Sequence, residues 1–397
     1  MRILRLDSSK ADYELQKIGV CPAGVRVMKK KYEVIPIKIF KVPVTEANII
    51  KQEMLSIGGD SAQASGAINH SVNYTDIILL GTMAQYEKFI YKLTEQNFDF
   101  LKRLSSKLKD ILNNKEDIFL IGNDEYTLEK KYIMGIINVT PDSFYRGSRK
   151  SQYEVIEESL KMQELGADFI DIGAESTRPG ALKIDEREEI ERLKKIIPEL
   201  VSKIKIPISI DTYKSSVAEF CLDNGVKIVN DISGMEFDNK MVDIVKKYAA
   251  TVVLMHIKGT PRNMQDDPYY IDVIKEVYDS LEKKRDNALE HGIDNKRLIL
   301  DTGIGFGKRL EDNYVLIARH REFLSLGCPL LLGISRKSLI GKVLDNKPEE
   351  RLNGTSVLNT LGLVKGATIL RVHDVKEACE CVKLYNEFEK GVEYGLY

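Results

Sequence analysis

The chain has 397 residues, of which 43% are hydrophobic and 30% are charged, so it has the composition of a globular protein long enough for two domains. Its 59 Lys and Arg balance 60 Asp and Glu, which argues against nucleic acid or an anionic membrane as the main partner. No apolar run reaches the roughly 18 residues of a membrane span, and the first residues lack a signal-peptide core. The five cysteines are scattered along the chain. We therefore expect a cytoplasmic protein with reduced thiols.

Residues 1–115 are predicted to form a separate small α/β domain. IKIFKVP and TDIILLGT predict strands, and VTEANIIKQEMLSIGGD between them predicts a helix that ends at a Gly-Gly pair. A longer stretch, AQYEKFIYKLTEQNFDFLKRLSSKLKDIL, continues with helical periodicity. No cluster of titratable groups in this region suggests a chemistry, so we expect a structural or assembly role. Residues 116–130 are interpreted as a linker and a strand pair.

Residues 131–397 alternate short apolar runs with helix-like segments. Eight of the runs are rich in β-branched residues and lack polar alternation, which is typical of strands buried on both faces of a parallel sheet. The predicted strands are Ile133–Asn138, Phe169–Gly173, Ile206–Ile210, Lys227–Asn230, Thr251–His256, Leu298–Asp301, Leu330–Gly333 and Thr368–Val372. Eight such units in about 260 residues predict a (β/α)8 TIM barrel, in which the carboxyl ends of all strands surround one active site.

Polar side chains stand at the ends of three predicted strands: Asp211, Asn230 and Asp301. A carboxylate in a pocket accepts hydrogen bonds only, so it usually meets N–H donors such as the amino edge of a heterocycle. Two carboxylates and an amide would suit a 2-amino-4-oxo pyrimidine ring, and Lys337 at the seventh strand end strengthens this interpretation. The alternative is that the two aspartates only cap the turns that follow their strands.

Cationic side chains form a second group that suits an anionic ligand. Thr177 and Arg178 follow the second strand, and Arg371 and His373 end the eighth strand two residues apart, so they face the same way. Together these groups suit a phosphate or pyrophosphate, although Arg178 alone could equally form a surface salt bridge. Asn138 at the end of the first strand is an oxygen donor suited to Mg²⁺, which takes few protein ligands beside phosphate and water.

The remaining motifs limit the chemistry further. GIGFGK, residues 303–308, is glycine-rich but lacks the Gly-Lys-Ser/Thr ending of a nucleotide-binding P-loop. Ser338 is predicted to lie near a helix amino terminus, where free N–H groups stabilise a carboxylate. The sequence has no Ser-His-Asp order, no reactive Cys beside His and no HExxH motif. These motifs favour a reaction in which cations hold a good leaving group, and not one in which a side chain of the enzyme acts as the nucleophile.

Together, these motifs resemble those of the dihydropteroate synthases. NVTPDSF (138–144), GAESTRPG (173–180), NDISG (230–234), GISRKS (333–338) and RVHDV (371–375) occur in the order and spacing of that family. The resemblance covers residues 131 to about 390. It implies a (β/α)8 enzyme of folate synthesis, with Mg²⁺ and as a homodimer, that joins 6-hydroxymethyl-7,8-dihydropterin pyrophosphate to para-aminobenzoate and releases pyrophosphate.

The resemblance also implies roles for individual residues. The residues implied to bind the pterin pyrophosphate are Thr177, Arg178, Asp211, Asn230, Ile232, Met255, Asp301, Phe306, Gly333, Lys337, Arg371 and His373. Those implied to act in catalysis are Asp211, Lys337, Arg371 and His373. Those implied to contact para-aminobenzoate are Pro179, Phe306 and Ser338, and Asn138 would carry the metal. Loops Asn138–Lys150 and Gly173–Leu182 would cover the second substrate.

The chain departs from the family pattern at a few positions. Thr302 stands where the family commonly has Pro, Ile257 stands where many members have Met, and residues 1–115 have no counterpart in the compact form of the family. A second interpretation is a pterin-binding methyltransferase that passes a methyl group from a folate to a corrinoid. It would share the Asp and Asn positions but would have no use for Arg178, Arg371 and His373. A third interpretation is an inactive barrel that serves as a scaffold.

Overall fold

The computed structural model describes residues 3, 6, 11–112, 118–139, 149–175 and 183–391. The chain divides into two compact units, one formed by residues 1–115 with 388–397 and the other by residues 116–387. Within the described residues, no helix is both long and apolar enough to cross a membrane.

The amino-terminal unit is a small α/β fold. Its elements are α1 (Ala11–Lys17), α2 (Pro22–Met28), β1 (Val34–Pro43), α3 (Val44–Ser56), β2 (Asp60–Gln63), β3 (Tyr74–Thr82), α4 (Met83–Thr94) and α5 (Asp99–Leu112). Strands β1 and β2 both pair antiparallel with β3, so they run parallel to each other on either side of it. Burial alternates along β3, which turns Ile77 and Leu79 towards the buried side chains of the helices, among them Met54 and Phe89.

A short hairpin closes the floor of the second unit. Strands β4 (Ile118–Ile121) and β5 (Asp124–Thr127) pair antiparallel, and Phe119 and Tyr126 pack against aromatic side chains at the start of the barrel strands. Backbone carbonyls of the hairpin accept hydrogen bonds from barrel side chains, including one from Arg297 to Gly122 at 2.9 Å. The amino-terminal end of the barrel interior is thereby filled, and the opposite end is left for a site.

Eight parallel strands close into the predicted barrel. They are β6 (Tyr132–Asn138), β7 (Phe169–Gly173), β8 (Ile208–Asp211), β9 (Ile228–Asp231), β10 (Thr251–Met255), β11 (Leu298–Asp301), β12 (Leu330–Leu332) and β13 (Ile369–Val372). The helices are α6 (Arg149–Glu164), α7 (Glu186–Leu193), α8 (Ile197–Lys203), α9 (Ser215–Asp223), α10 (Met241–Lys247), α11 (Val273–Glu290), α12 (Leu310–Ala318), α13 (Ser338–Leu344), α14 (Leu352–Val364) and α15 (Val375–Lys390). The expected fold class, a (β/α)8 barrel preceded by a small α/β region, is confirmed.

The segment after the second barrel strand forms two helices. The segment DEREEIERLKKIIPEL suggests a single helix after the second barrel strand, but the structure divides it into α7 and α8. Pro198 is the cause, because it lacks a backbone N–H and is accommodated only in the first turn of a helix, where the structure places it in α8.

The barrel register positions the site. An apolar layer of inward-facing side chains contains Phe169, Ile228, Val253, Ile299, Leu331 and Ile369. Side chains two residues further along a strand face the same way. The next layer towards the carboxyl ends of these strands therefore consists of Asp171, Asn230, Met255, Asp301, Gly333 and Arg371. The change from apolar to polar within two residues marks where the packed core ends and the mouth begins.

Candidate active site

Arg371 lies at the centre of the mouth between two buried aspartates. Its Nε donates to Asp171 Oδ2 at 2.7 Å, and its Nη2 donates to Asp211 Oδ2, also at 2.7 Å. Asp171 is fully buried and Asp211 is 7% exposed. The remaining oxygen of each carboxylate, Oδ1, has no hydrogen-bond partner among the described residues. Residues of strands β7, β8 and β13 thus form one charged group, in which Oδ1 of Asp171 and Oδ1 of Asp211 can each accept a further hydrogen bond.

The electrostatics of this group are dominated by burial. Desolvation raises the pKa of Asp211 to about 7; Arg371 opposes this rise and Asp171 adds to it. The pKa of the Arg371 guanidinium is raised because Asp171 and Asp211 outweigh its own desolvation, so Arg371 stays charged. A proton is therefore easily added to or removed from Asp211 near neutral pH, whereas the cation beside it is fixed.

Asn230 and Asp231 end the neighbouring strand with different partners. Asn230 Nδ2 donates to Asp171 Oδ2 at 2.9 Å, so its amide belongs to the same group as Arg371. Asp231 is fully buried and accepts from the backbone N–H of Ser233 at 2.7 Å and of Met235 at 2.9 Å. It therefore fixes the loop that carries Ile232 and does not itself face a ligand.

Asp301 and Lys337 form the opposite side of the mouth. Asp301 Oδ1 accepts from the backbone N–H of Gly303 at 2.7 Å, so one oxygen does cap the following turn, as the alternative interpretation expects. Burial raises its pKa, while Lys337 and Arg371 lower it. Lys337 donates to the carbonyl of Ile304 at 2.5 Å and lies 4.7 Å from the centre of the Phe306 ring. The carboxylate and the ammonium thus both make hydrogen bonds to the backbone of the glycine-rich loop 303–308, although they come from different strand ends.

The backbone geometry of this loop, GIGFGK, requires glycine at position 303. Gly303 has φ +67°, and a Cβ there would lie 1.9 Å from the carbonyl oxygen of His256. Lys308 ends the loop fully inside the protein and donates to the carbonyls of Gly303 at 2.9 Å and Phe306 at 3.0 Å. Its ammonium lies 3.0 Å from His256 Nδ1, and burial lowers the pKa of both groups well below their usual values. The motif is a rigid support for Phe306 and Lys337.

Replacing Gly303 by Ala is expected to destabilise the barrel unit by about 2–3 kcal/mol or more, because both the positive φ and the close carbonyl oppose a Cβ. Gly292→Ala is the matched control, since Gly292 has φ +86° but meets only the flexible end of Lys246, at 3.4 Å. The control should cost about 1 kcal/mol. Urea denaturation of both variants measures the difference, and equal losses would show that the close approach to His256 is unimportant.

Apolar side chains line the same mouth. Tyr213, Ile232 and Met255 are buried together, with Ile257 and Phe306 packed against them. Three of the five were expected from the sequence. Tyr213 was missed because it follows the strand end in a segment, TYKSS, without apolar periodicity. Gly333 lies between the charged groups, since a Cβ there would be 3.9 Å from both Arg371 Cβ and Lys337 Nζ.

The loops after β12 and β13 are joined at the rim. The Ser335 hydroxyl accepts from the backbone N–H of His373 at 3.2 Å and lies 3.0 Å from His373 Nδ1. Arg336, held at φ +54°, makes a bidentate pair with Asp374, both contacts at 2.8 Å. His373 is exposed at the rim, as is Ser338, the first residue of α13.

The other expected contacts follow β6 and β7. Thr177, Arg178 and Pro179 lie outside the described residues, as do 140–148 and 176–182 of the two expected cover loops. Asn138 is exposed. A Cβ placed on Gly173 would lie 3.6 Å from Asn138 Oδ1 and 3.8 Å from Asp211 Oδ2, so both oxygens lie near the same point. Asn138 is thus close to the charged centre.

Comparisons with known proteins agree with this geometry. A family model described as pterin binding enzyme matches residues 134–373. A relative from Helicobacter pylori, named bifunctional dihydropteroate synthase/dihydropteroate reductase, is 34% identical over 98% of this chain and 100% of its own length. The dihydropteroate synthase of Bacillus subtilis is 41% identical over 67% of this chain and 92% of its own. A crystal structure of the Clostridium difficile dihydropteroate synthase in the presence of pteroic acid has a TM-score of 0.63 at 40% identity, covering 68% of this chain and 98% of that one.

The closed barrel, its polar mouth and the family match define a pterin-binding (β/α)8 enzyme. Within that class the chain belongs to the dihydropteroate synthase family, transferases of folate biosynthesis. The resemblance given by the sequence motifs is confirmed, and the relatives favour it over the pterin-binding methyltransferase.

Proposed function

We propose that the barrel condenses 6-hydroxymethyl-7,8-dihydropterin pyrophosphate with para-aminobenzoate to give 7,8-dihydropteroate and pyrophosphate. The observation that carries this proposal is the buried group of Arg371, Asp211 and Asn230 at the mouth, with Asp301 and Lys337 beside it. Acceptors for a heterocycle and cations for a leaving group thus occur together at the carboxyl ends of the barrel strands. The Clostridium difficile relative, solved in the presence of pteroic acid, supports the substrate class.

The pterin ring is assigned to the floor of the mouth. Asp211 Oδ1 is buried without a partner among the described residues, so it offers an acceptor to the ring N–H and amino groups. Asp301 and Asn230 add acceptors at the neighbouring strand ends, and Lys337 supplies a donor for the ring oxygen. Ile232, Met255 and Phe306 cover the ring faces. An amino-oxo heterocycle is the ligand that pairs with all of these groups.

The leaving group is assigned to the rim. The C–O bond of the pterin methylene carbon breaks, its electron pair goes to the pyrophosphate oxygen, and the ring nitrogens stabilise the cationic carbon. The amine of para-aminobenzoate then forms the C–N bond and loses a proton. Arg371 and His373 stabilise the departing pyrophosphate, with Thr177 and Arg178 as further contacts, and the Asp211 carboxylate favours the cationic ring.

Mg²⁺ is compatible with the donor set. Among the described residues, no group of three or more His, Cys, Asp and Glu could hold a metal, so a closed protein cage is absent there. The amide oxygen of Asn138 near the charged centre fits an ion that takes one or two protein ligands and completes its shell with phosphate and water. Such an ion would neutralise charge on the leaving pyrophosphate.

Para-aminobenzoate is assigned to the outer part of the mouth. Phe306 offers a ring face beside Lys337, and the exposed Ser338 hydroxyl at the start of α13 is available to a carboxylate. Pro179 is proposed as the third contact. This placement puts the amine next to the methylene carbon of the bound pterin.

A pyrophosphate-release assay tests the proposal. Release should require both substrates and Mg²⁺. Methyl transfer from methyltetrahydrofolate to cobalamin, without such release, would support the methyltransferase interpretation instead. The purified chain showing neither activity would support an inactive scaffold.

The pH profile of kcat/KM for the pterin substrate is expected to be bell-shaped. Burial raises the pKa of Asp211 to about 7, Arg371 lowers it, and Asp171, Glu189 and Asp231 raise it further. Burial lowers the pKa of Lys337 to about 8; Asp301 and Asp211 oppose this and Arg371 adds to it. Because a carboxylate and an ammonium are needed, kcat/KM for the pterin substrate should rise as the pH passes about 7 and fall above about 8. In Lys337→Arg the alkaline limb should move beyond about pH 10, and an unchanged alkaline limb would exclude Lys337 as its source.

A second activity, reduction of dihydropteroate, has one specific observation in its favour. The Helicobacter pylori relative named for both activities matches 98% of this chain, so the match includes most of residues 1–115. The reduction adds two electrons and two protons, so a reduced nicotinamide nucleotide, with or without a flavin, has to be supplied. Oxidation of the nucleotide that depends on dihydropteroate would establish this activity. Without it, a structural or assembly role for residues 1–115 stays the prediction from the sequence.

We propose further that the enzyme is a cytoplasmic homodimer. Exposed apolar side chains project from neighbouring barrel helices, namely Val343 and Leu344 of α13, Val357 and Leu361 of α14, and Leu384 of α15. Apolar groups concentrated on one side of a globular unit favour a protein contact. The odd number and scattered positions of the five cysteines in the sequence favour a reducing compartment. Sedimentation velocity measures the assembly state.

A further inference from the structure

Asp171 is a charged residue for which the reaction described above has no use. It is the third residue of β7, is fully buried, and points into the barrel two residues beyond Phe169 of the apolar layer. A buried carboxylate is costly unless it is paired and hydrogen-bonded. Its partners therefore explain why it is there.

Those partners are two of the residues assigned to the substrate. A single oxygen, Oδ2, accepts from Arg371 Nε at 2.7 Å and from Asn230 Nδ2 at 2.9 Å. Arg371 reaches the Asp211 carboxylate with a different nitrogen, Nη2. Asp171 thus fixes the plane of the guanidinium, because a planar group held at two of its nitrogens cannot rotate.

The same contact determines which way the Asn230 amide faces. A carboxylate only accepts hydrogen bonds, so the amide must turn its NH2 group towards Asp171. The other end of the amide, Oδ1, then faces away from Asp171 as an acceptor. Without a negative charge at position 171, the amide could turn over and present donors where a pterin N–H needs an acceptor.

We propose that Asp171 is a positioning residue for this reaction, which holds Arg371 and Asn230 in the orientations that the pterin pyrophosphate requires. The inference depends on the proposed function, since it assigns both orientations to that substrate. Asp171 itself touches neither the ring nor the leaving group.

Asp171→Asn is the test, because it keeps the size of the side chain and removes the charge. The amide oxygen of the new side chain can take the position of Oδ2, but it is neutral, so it holds the Arg371 guanidinium less firmly. Its NH2 group replaces an oxygen and can instead face Asn230, where it favours the turned-over amide. We expect kcat/KM for the pterin pyrophosphate to fall at least about 10-fold, as is typical when a residue that orients ligand-binding groups is replaced. The KM for para-aminobenzoate, measured at saturating pterin substrate, should change less than about 2-fold, because that site lies at the rim. Fluorescence titration with pteroic acid should show a matching loss of affinity.

Asp168→Asn is the matched control. Asp168 directly precedes β7 and accepts from the backbone N–H of Ile133 at 2.9 Å, near the barrel floor. It should lower the melting temperature without affecting the pterin substrate selectively. A loss in Asp171→Asn that falls equally on both substrates, or that Asp168→Asn reproduces, would reduce Asp171 to a structural role.

A double variant shows whether Asp171 acts through Arg371. Coupled residues give losses that do not add, so Asp171→Asn should lower the activity of Arg371→Met by less than about 3-fold. Fully additive losses would overturn the proposal, as would a wild-type kcat/KM in Asp171→Asn. If the wild-type chain released no pyrophosphate with both substrates, the proposed function would fail instead, so the two failures are distinguishable.

Discussion

Replacing Asp211 by Asn is expected to lower kcat at least about 100-fold, in line with the loss of one preorganised charged group. The substitution removes the carboxylate that faces the ring while leaving Arg371 paired with Asp171 at 2.7 Å. Stopped-flow measurement of pyrophosphate release at saturating substrates gives the rate. A variant that turns over near the wild-type rate would remove Asp211 from the chemistry.

The stability of this variant separates catalysis from folding. Burial raises the folded-state pKa of Asp211 to about 7, above its ordinary value of 3.8. The folded state therefore binds the proton more tightly than the unfolded state, and this group contributes less stability as the pH rises from about 4 through about 7. A neutral amide lacks this penalty, so the melting temperature of Asp211→Asn at pH 8 should not fall. A large fall would mean that the lost activity reflects unfolding.

Replacing Arg371 by Met is expected to damage both folding and activity. It leaves the buried carboxylates of Asp171 and Asp211 without their shared cation, and removing one partner of a buried ion pair costs about 3–5 kcal/mol. The rate should also fall about 100- to 1,000-fold, because the leaving group loses a fixed positive charge. Chemical denaturation and pyrophosphate release measure the two effects separately.

The pH dependence of the Arg371→Met effect has a defined sign. Arg371 lowers the pKa of Asp211, so its removal lets that pKa rise further. A proton can then replace the missing cation at low pH, and the loss of stability should be smaller at pH 5 than at pH 8. Arg371→Lys, which keeps the charge but cannot bridge two carboxylates as a planar fork, should fall between wild type and Met. If Arg371→Met and wild type were equally stable at pH 8, the buried carboxylates of Asp171 and Asp211 would not depend on the Arg371 guanidinium for their stabilisation.

The sequence predicts the barrel and most of the mouth for one physical reason. In a parallel barrel every strand is buried, so a polar residue that ends an apolar run has to face the mouth or cap a turn. This logic brought together Asp211, Asn230, Asp301 and Arg371, and the structure joins them through hydrogen bonds or mutual effects on pKa.

The same logic failed where a residue does not stand at a strand end. Asp171 lies inside its apolar run, FIDIG, and was passed over as part of the strand. The signal was present, because a charged residue has no place in a strand buried on both faces unless it has a partner. Its partner Arg371 is 200 residues away in the sequence, and only the closure of the barrel brings the two together.

Turn conformation and dual roles are also hard to predict from sequence alone. GIGFGK lacks the ending of a P-loop and by itself indicates no function, yet Gly303 is required by a carbonyl oxygen from another strand's loop. One oxygen of Asp301 caps the turn at Gly303, and this cap does not exclude the binding role proposed above. The exchange of the family's Pro for Thr302 leaves this hydrogen bond in place, so the departure is tolerated.

A crystal structure of the chain with bound pteroic acid tests the central claim most directly. The pterin ring should lie among Asp211, Asn230 and Asp301, with its faces against Met255 and Phe306, and the benzoate should point towards Ser338. A ring bound elsewhere, or bound in the mouth without a hydrogen bond to Asp211, would contradict the account.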